Sequence, residues 1–353
     1  MNIPAIAGLC WAFSKAGTCL AYLRPTQAYH STSGRRNGGS LQGALPGLRW
    51  GRDRHETHCH GCLPHLVRHR NLRSTPVSCT RQPRQAAHPD IRYLAPPEAV
   101  YQVIEEHTRR NGTTSKPVQL PDGSPASWFG NPDAQRLLIY YPGGGYVYPM
   151  VPTHLCYIDN IITDLKRAAI DVGVLLLHYD LAPTARPPRQ LEQAIGALRY
   201  AIETLGKRPS DIVILGDSAG GHLALSVLSH LAHPHPSIPA LSLTGNLAGA
   251  LLLSPWMIDS RADYESHRQN ADRDSLSLRT LNSWADMYLG DTTPDNYSQP
   301  AGAPKNWWRS LPVKKIFIGV GGDEVMLDST VETARKIEVS HTDAVIGDVT
   351  YSF

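Results

Sequence analysis

Cysteine is scarce and poorly placed for a disulfide framework: six in 353 residues, at 10, 19, 59, 62, 79 and 156, with only Cys156 beyond residue 90. That pattern excludes a small disulfide scaffold and predicts a reducing compartment, with a cytoplasmic location as the first expectation. Long apolar runs are missing as well. Met1 to Leu23 is moderately apolar, but Lys15 interrupts it and no cationic stretch precedes it, which argues against a signal peptide or a membrane span. Acidic residues are absent before Asp53, and no internal repeat occurs anywhere.

The acidic gap belongs to a sharp change of material. Residues 1–90 hold 12 Lys and Arg against 3 Asp and Glu, a net of +9, whereas 91–353 carry a net of −6 within the overall +3. The leader is rich in Arg, His, Gly, Ser and Pro without a hydrophobic period, so it is expected to be disordered. Lys15, Arg24, Arg35 and Arg36 lie among Ser and Ala, as in a mitochondrial presequence, which keeps a mitochondrial address as the second expectation. His55, His58, Cys59, His60, Cys62, His65 and His69 include one C-x-x-C pair, but no second pair follows at finger spacing, so no metal is expected there. The arginines lack interleaved aromatics, and no nucleic-acid partner is expected.

Residues 91–353 suffice for an α/β core, which takes roughly 200 to 250 residues. Apolar strand-like runs at Arg136–Tyr141, Asp171–His178, Ile212–Leu215, Gly249–Leu253, Lys315–Val320 and Ala344–Phe353 alternate with helical periods at Gln190–Leu205, His222–His230 and Ser329–Ile337. Alternation of this kind predicts a mostly parallel sheet with helices on both faces. Pro97 to Arg110 reads as a cap helix, and an insertion over about 260–305 reads as a further cap. Trp284, Met287, Tyr288, Trp307 and Trp308, in or just after it, fit either core packing or substrate lining.

Two glycine-rich segments carry chemistry. Gly216-Asp217-Ser218-Ala219-Gly220 stands between an apolar strand and a helix, the context in which a sharp turn presents a serine hydroxyl clear of the sheet. Ser218 is the candidate nucleophile. The Ala219 amide opens the helix that follows, where unpaired donors favour an oxyanion. Upstream, the Arg136–Tyr141 strand runs into Pro142-Gly143-Gly144-Gly145-Tyr146, a backbone able to turn amides toward a substrate oxygen. Gly143 and Gly144 are the expected donors, with Ala219.

These segments resemble the α/β-hydrolase fold family, in its hormone-sensitive-lipase-like (α/β-hydrolase fold-3) group, and particularly fungal esterase-like members. Tyr141-Pro142-Gly143-Gly144-Gly145-Tyr146 is similar to the family's His-Gly-Gly-Gly loop, His178-Tyr179-Asp180-Leu181-Ala182-Pro183 to its Tyr-Arg-Leu-Ala-Pro segment, and Gly216–Gly221 to its serine elbow. Pro142 stands where the family usually has His, and Asp180 where it has Arg. The resemblance implies an α/β-hydrolase fold over about residues 95–353, hydrolysis of small, apolar carboxylic esters, no cofactor, and a triad in the chain order serine, acid, histidine. By the family pattern Glu324 takes the acid position, with Asp323 as the alternative.

The histidine does not fall where the family puts it, after the last strand. His341 is the only histidine after Glu324, and it precedes that strand. The expectation is therefore a weak or absent general base in the sequence as it stands, and slow turnover. A noncatalytic, receptor-like binder of small molecules on the same fold is the alternative.

Overall fold

A computed structural model describes residues 97–258, 262–340 and 344–349 of the chain. The basic leader, its His and Cys cluster and His341 lie outside the described residues. The elements run in the order α1 (Pro97–Asn111), β1 (Ser115–Gln119), β2 (Pro125–Gly130), β3 (Arg136–Tyr141), α2 (Pro152–Arg167), β4 (Val172–Leu177), α3 (Arg189–Arg199), β5 (Ile212–Asp217), α4 (Ala219–Ala232), β6 (Gly249–Leu253), α5 (Ser266–Gln269), α6 (Leu278–Leu289), β7 (Ile316–Gly321), α7 (Leu327–Glu338) and β8 (Ala344–Val349). The eight strands form one sheet in the order β1-β2-β4-β3-β5-β6-β7-β8. From β4 to β8 every pairing is parallel, while β1, β2 and β4 pair antiparallel at one edge.

Strands β3 to β7 are buried on both faces, which explains their uninterrupted apolar runs. Along β3, Leu137, Ile139 and Tyr141 enter one core cluster while Leu138 and Tyr140 enter the other. Strand β5 repeats this, with Ile212 and Ile214 on one side and Val213 and Leu215 on the other. The first face takes α3, α4, α7 and the insertion. The second takes α1, through Ile104, and α2, through Leu155, Ile158, Ile161 and Leu165. Every residue of α4 from Ala219 to His230 is buried, so this helix shows no amphipathic period in its sequence.

Two elements differ from the sequence reading. The helix expected over 190–205 ends at Arg199 and passes into a wider π turn over Tyr200–Thr204. The β1–β2 hairpin has no counterpart in the sequence reading, because Pro117 and Lys116 weaken the strand pattern of β1, which is tolerated here at the outer edge. Among the described residues no helix is long and apolar enough to cross a membrane.

The topology decides where a site can form. Strand β3 connects through α2 to β4 on one side, and β4 then crosses through α3 to β5 on the other, so the order in which strands join the sheet reverses between β3 and β5. Loops leaving the carboxyl ends of these neighbours diverge and open a crevice at that reversal. The loop after β3 is the triple-glycine segment, and the turn after β5 carries Ser218. Ile139, fully buried in β3, reports on the integrity of this centre. Replacing it with alanine is expected to lower unfolding stability by about 3 kcal/mol, measured by chemical denaturation.

Candidate active site

Ser218 adopts φ 50 and ψ −119, a backbone conformation that non-glycine residues rarely hold. Three hydrogen bonds enforce it. Its amide donates to Leu253 O (2.8 Å), and its carbonyl accepts from the amides of His222 (3.0 Å) and Trp256 (2.9 Å). The flanking glycines are required by close approach: a Cβ on Gly216 would strike the Gly220 carbonyl, and one on Gly220 would strike the carbonyl of Tyr141. The Ser218 hydroxyl does not cap α4, although it stands at the cap position.

Strand β6 ties the serine to the acid. Leu253 receives the Ser218 amide, and the next residue, Ser254, donates its hydroxyl to Glu324 Oε1 (2.5 Å). The Gly321 amide donates to the same oxygen at 2.8 Å. Oε2 of Glu324 is shielded from solvent and has no hydrogen-bond partner among the described residues. Burial pushes this carboxyl up to about 7, against the two hydrogen bonds that favour its charge, with Asp274 adding a further upward push. Asp323, the alternative acid, faces the surface and pairs with Arg273 at 3.0 Å.

The triple-glycine loop is anchored at both ends by the segment that follows β4. Tyr179 donates its hydroxyl to Pro142 O (2.5 Å), and the Ala182 amide donates to Tyr146 O (2.8 Å). This explains why two segments about 40 residues apart occur together. Asp180 pairs with Arg189 (2.9 Å) near the surface. Within the loop, Gly144 lies at φ 130, and its carbonyl accepts from the amides of Val147 and Tyr148.

The Gly143 amide, an expected oxyanion donor, donates to Asp217 Oδ1 at 3.0 Å. The reason is proximity to a charge, since a carboxylate is a stronger acceptor than a neutral ester carbonyl. Asp217, to which the sequence reading gives no role, accepts from Tyr140 Oη on the same oxygen (2.7 Å) and faces His154 Nε2 with the other (3.4 Å). Burial alone would raise its pKa, yet His154 and the hydrogen bonds from His154, Tyr140 and Gly143 hold it below the ordinary carboxylate value. Only a contact between distant segments reveals this role; the signal in the sequence is a lone acid beside the serine.

The insertion supplies the remaining wall. Tyr288 stacks on Tyr146 at 4.1 Å and 10°, and Trp284 meets Tyr148 and Trp256 edge-on. Trp308 is fully buried core, and Trp307 stacks on His233. Leu278, Leu281 and Ala285 of α6 line a small mixed cleft with Trp256, Met257 and Met326 and with the polar side chains of His267, Asn282 and Ser329. Met326 lies two residues beyond Glu324. Among the described residues no cluster of His, Cys, Asp and Glu is arranged to hold a metal.

The family model described as alpha/beta hydrolase fold matches residues 138–349. The chain belongs to that family. Within it the chain is related to hormone-sensitive-lipase-like esterases and is classed with the serine-hydrolase type. It is 24% identical over 221 residues to steryl acetyl hydrolase 1 of Saccharomyces cerevisiae, covering 59% of this chain and 49% of that protein. It is 31% identical over 205 residues to an acetyl-hydrolase of Streptomyces hygroscopicus, covering 58% and 60%. The chain thus spans about half to three-fifths of the length of these relatives. Among solved structures, an esterase from the bacterial hormone-sensitive lipase family superposes with a TM-score of 0.55 at 26% identity, over 76% of this chain and 89% of that one.

The raised Glu324 carboxyl has a measurable consequence. Its folded value of about 7 lies above the ordinary 4.5, so the stability associated with its protonated form is complete below about pH 4.5 and is lost as pH rises through about 7. Wild-type stability is expected to fall across that window by about 3 kcal/mol relative to Glu324→Gln, which keeps the shape and never ionises. Paired denaturation curves at pH 4.5 and pH 8 check it.

Proposed function

We propose that this chain is a carboxylic ester hydrolase that forms an acyl intermediate on Ser218. The observation that carries the reading is the suspension of serine and acid from consecutive residues of one strand end: Leu253 receives the Ser218 amide, and Ser254 holds Glu324. A strained serine at the mouth of a topological crevice, with its hydroxyl withheld from helix capping, supports a nucleophile over a structural turn.

In the proposed reaction a histidine takes the Oγ proton as Ser218 attacks the ester carbonyl carbon. The carbonyl oxygen becomes an oxyanion facing the amides of Gly144 and Ala219, the Gly143 amide being engaged by Asp217. Collapse of the adduct breaks the bond to the alkoxy oxygen, which leaves with the proton from the histidine. Water, activated by the same base, then releases the acid. Glu324 Oε2 is the acceptor proposed to orient that histidine, because it is shielded and unpaired among the described residues. His341 is the candidate base to be tested, and no cofactor takes part in these steps.

The proposed substrates are small esters with short acyl groups. Two similar proteins are named for the removal of acetyl groups.

The test is hydrolysis of p-nitrophenyl acetate and butyrate by the chain and by Ser218→Ala. Loss of at least about a thousandfold in kcat/KM is expected in the variant. Equal rates in the two proteins would overturn the assignment. Turnover abolished by His341→Ala assigns the base to that residue. Tight binding of a carboxylated ligand to a chain that does not turn over would instead identify the crevice as a binding site.

A further inference from the structure

We infer that His222 is a positioning residue whose neutral imidazole links the triple-glycine loop to the 262–305 insertion, so that docking of the insertion holds the loop in its working shape. The catalytic consequence rests on the hydrolase reading above; the linkage itself rests on contacts alone.

His222 lies one helical turn beyond Ser218 in α4 and is fully buried. Its Nε2 lies 2.7 Å from the Tyr297 carbonyl, which can only accept, so Nε2 carries the proton. Nδ1 is then an acceptor, and the Tyr146 hydroxyl donates to it at 3.0 Å. Each nitrogen thus serves a different segment: one the glycine loop, the other the insertion. Burial pushes this imidazole down to about 4, only partly offset by the Tyr297 carbonyl and Asp295, which keeps it neutral near pH 7. A second proton would occupy Nδ1 and end the bond from Tyr146.

Both sides of the link are firmly built. Tyr297 is docked on α4 by three groups, its carbonyl accepting from His222 and from Ser226 Oγ (2.7 Å) and its hydroxyl donating to His233 O. Tyr146 is fully buried at φ 60, a strained setting for a side chain of that size. Tyr288 covers its ring, and a Cβ on the preceding Gly145 would collide with Trp284. The loop therefore turns against surface supplied by the insertion. A hydroxyl on a strained residue, held by a ring that also grips the insertion and by Tyr288 of the insertion itself, makes the two segments share one arrangement.

The amides of Val147 and Tyr148, both donating to Gly144 O, report the loop's order by hydrogen exchange without any turnover. In full-length Tyr146→Phe, which keeps the ring stack and loses the donor, their exchange is expected to rise by about five- to tenfold. The amides of β5 should stay within about twofold. In His222→Asn the exchange of both the loop amides and the Ser298 amide should rise together. On esters, Tyr146→Phe is expected to lower kcat by about tenfold with KM little changed, as loss of transition-state positioning requires.

Nitrogen-15 spectra of the unmodified protein give a check that no folding defect can confuse: the His222 ring must be the Nε2–H tautomer. An Nδ1–H tautomer, loop exchange unchanged in Tyr146→Phe, or exchange rising equally in β5 would each overturn the link. A wild type that hydrolyses no better than Ser218→Ala overturns the hydrolase reading instead, and leaves the exchange and tautomer results to decide the link by themselves.

Discussion

The molecule depends on one strained residue. Holding Ser218 at φ 50 and ψ −119 costs on the order of 1 to 3 kcal/mol, and such a conformation persists only where its surroundings over-determine it. Here they do, through its amide on Leu253, its carbonyl on His222 and Trp256, and two glycines without which neighbouring carbonyls would collide. The turn fixes the direction of β5 and α4 together. Since α4 is buried through most of its length, the arrangement of α3, the insertion and α7 around it follows from that turn.

Around the elbow, two imidazoles solve two different electrostatic problems. His154 faces the Asp217 carboxylate, and that charge draws its pKa upward although burial opposes the shift. The pair ties the elbow and, through the Gly143 amide, the glycine loop to the start of α2. His222 faces the Tyr146 hydroxyl and the Tyr297 carbonyl, and burial keeps it uncharged although Asp295 opposes the shift.

Glu324 shows how a carboxyl is kept ready without a full partner. Ser254 and Gly321 donate to one oxygen, the other is shielded and has no partner among the described residues, and burial raises the pKa to about 7. A donor arriving at Oε2 would stabilise the ionised form and lower that value. Asp323, one residue earlier, points the opposite way to Arg273. Neighbours in sequence therefore differ in role because the turn after β7 directs one inward and the other outward.

The sequence by itself determined the α/β class, the strands from β3 to β7 to within a residue or two at each end, the elbow at Ser218 and the glycine loop, because these depend on local quantities: apolar runs, turn glycines and their order along the chain. It could not show the β1–β2 hairpin, whose proline and lysine disguise a strand that the sheet edge tolerates, nor the end of α3 in a wider turn. Tertiary structure alone decided which amide of the loop is engaged, which of two adjacent acids turns inward, and that His222 is a buried link between distant segments. Those outcomes depend on partners 70 to 77 positions away along the chain. No local pattern records such a pairing, since a hydrogen bond in the core is set by where the folded sheet brings two segments together.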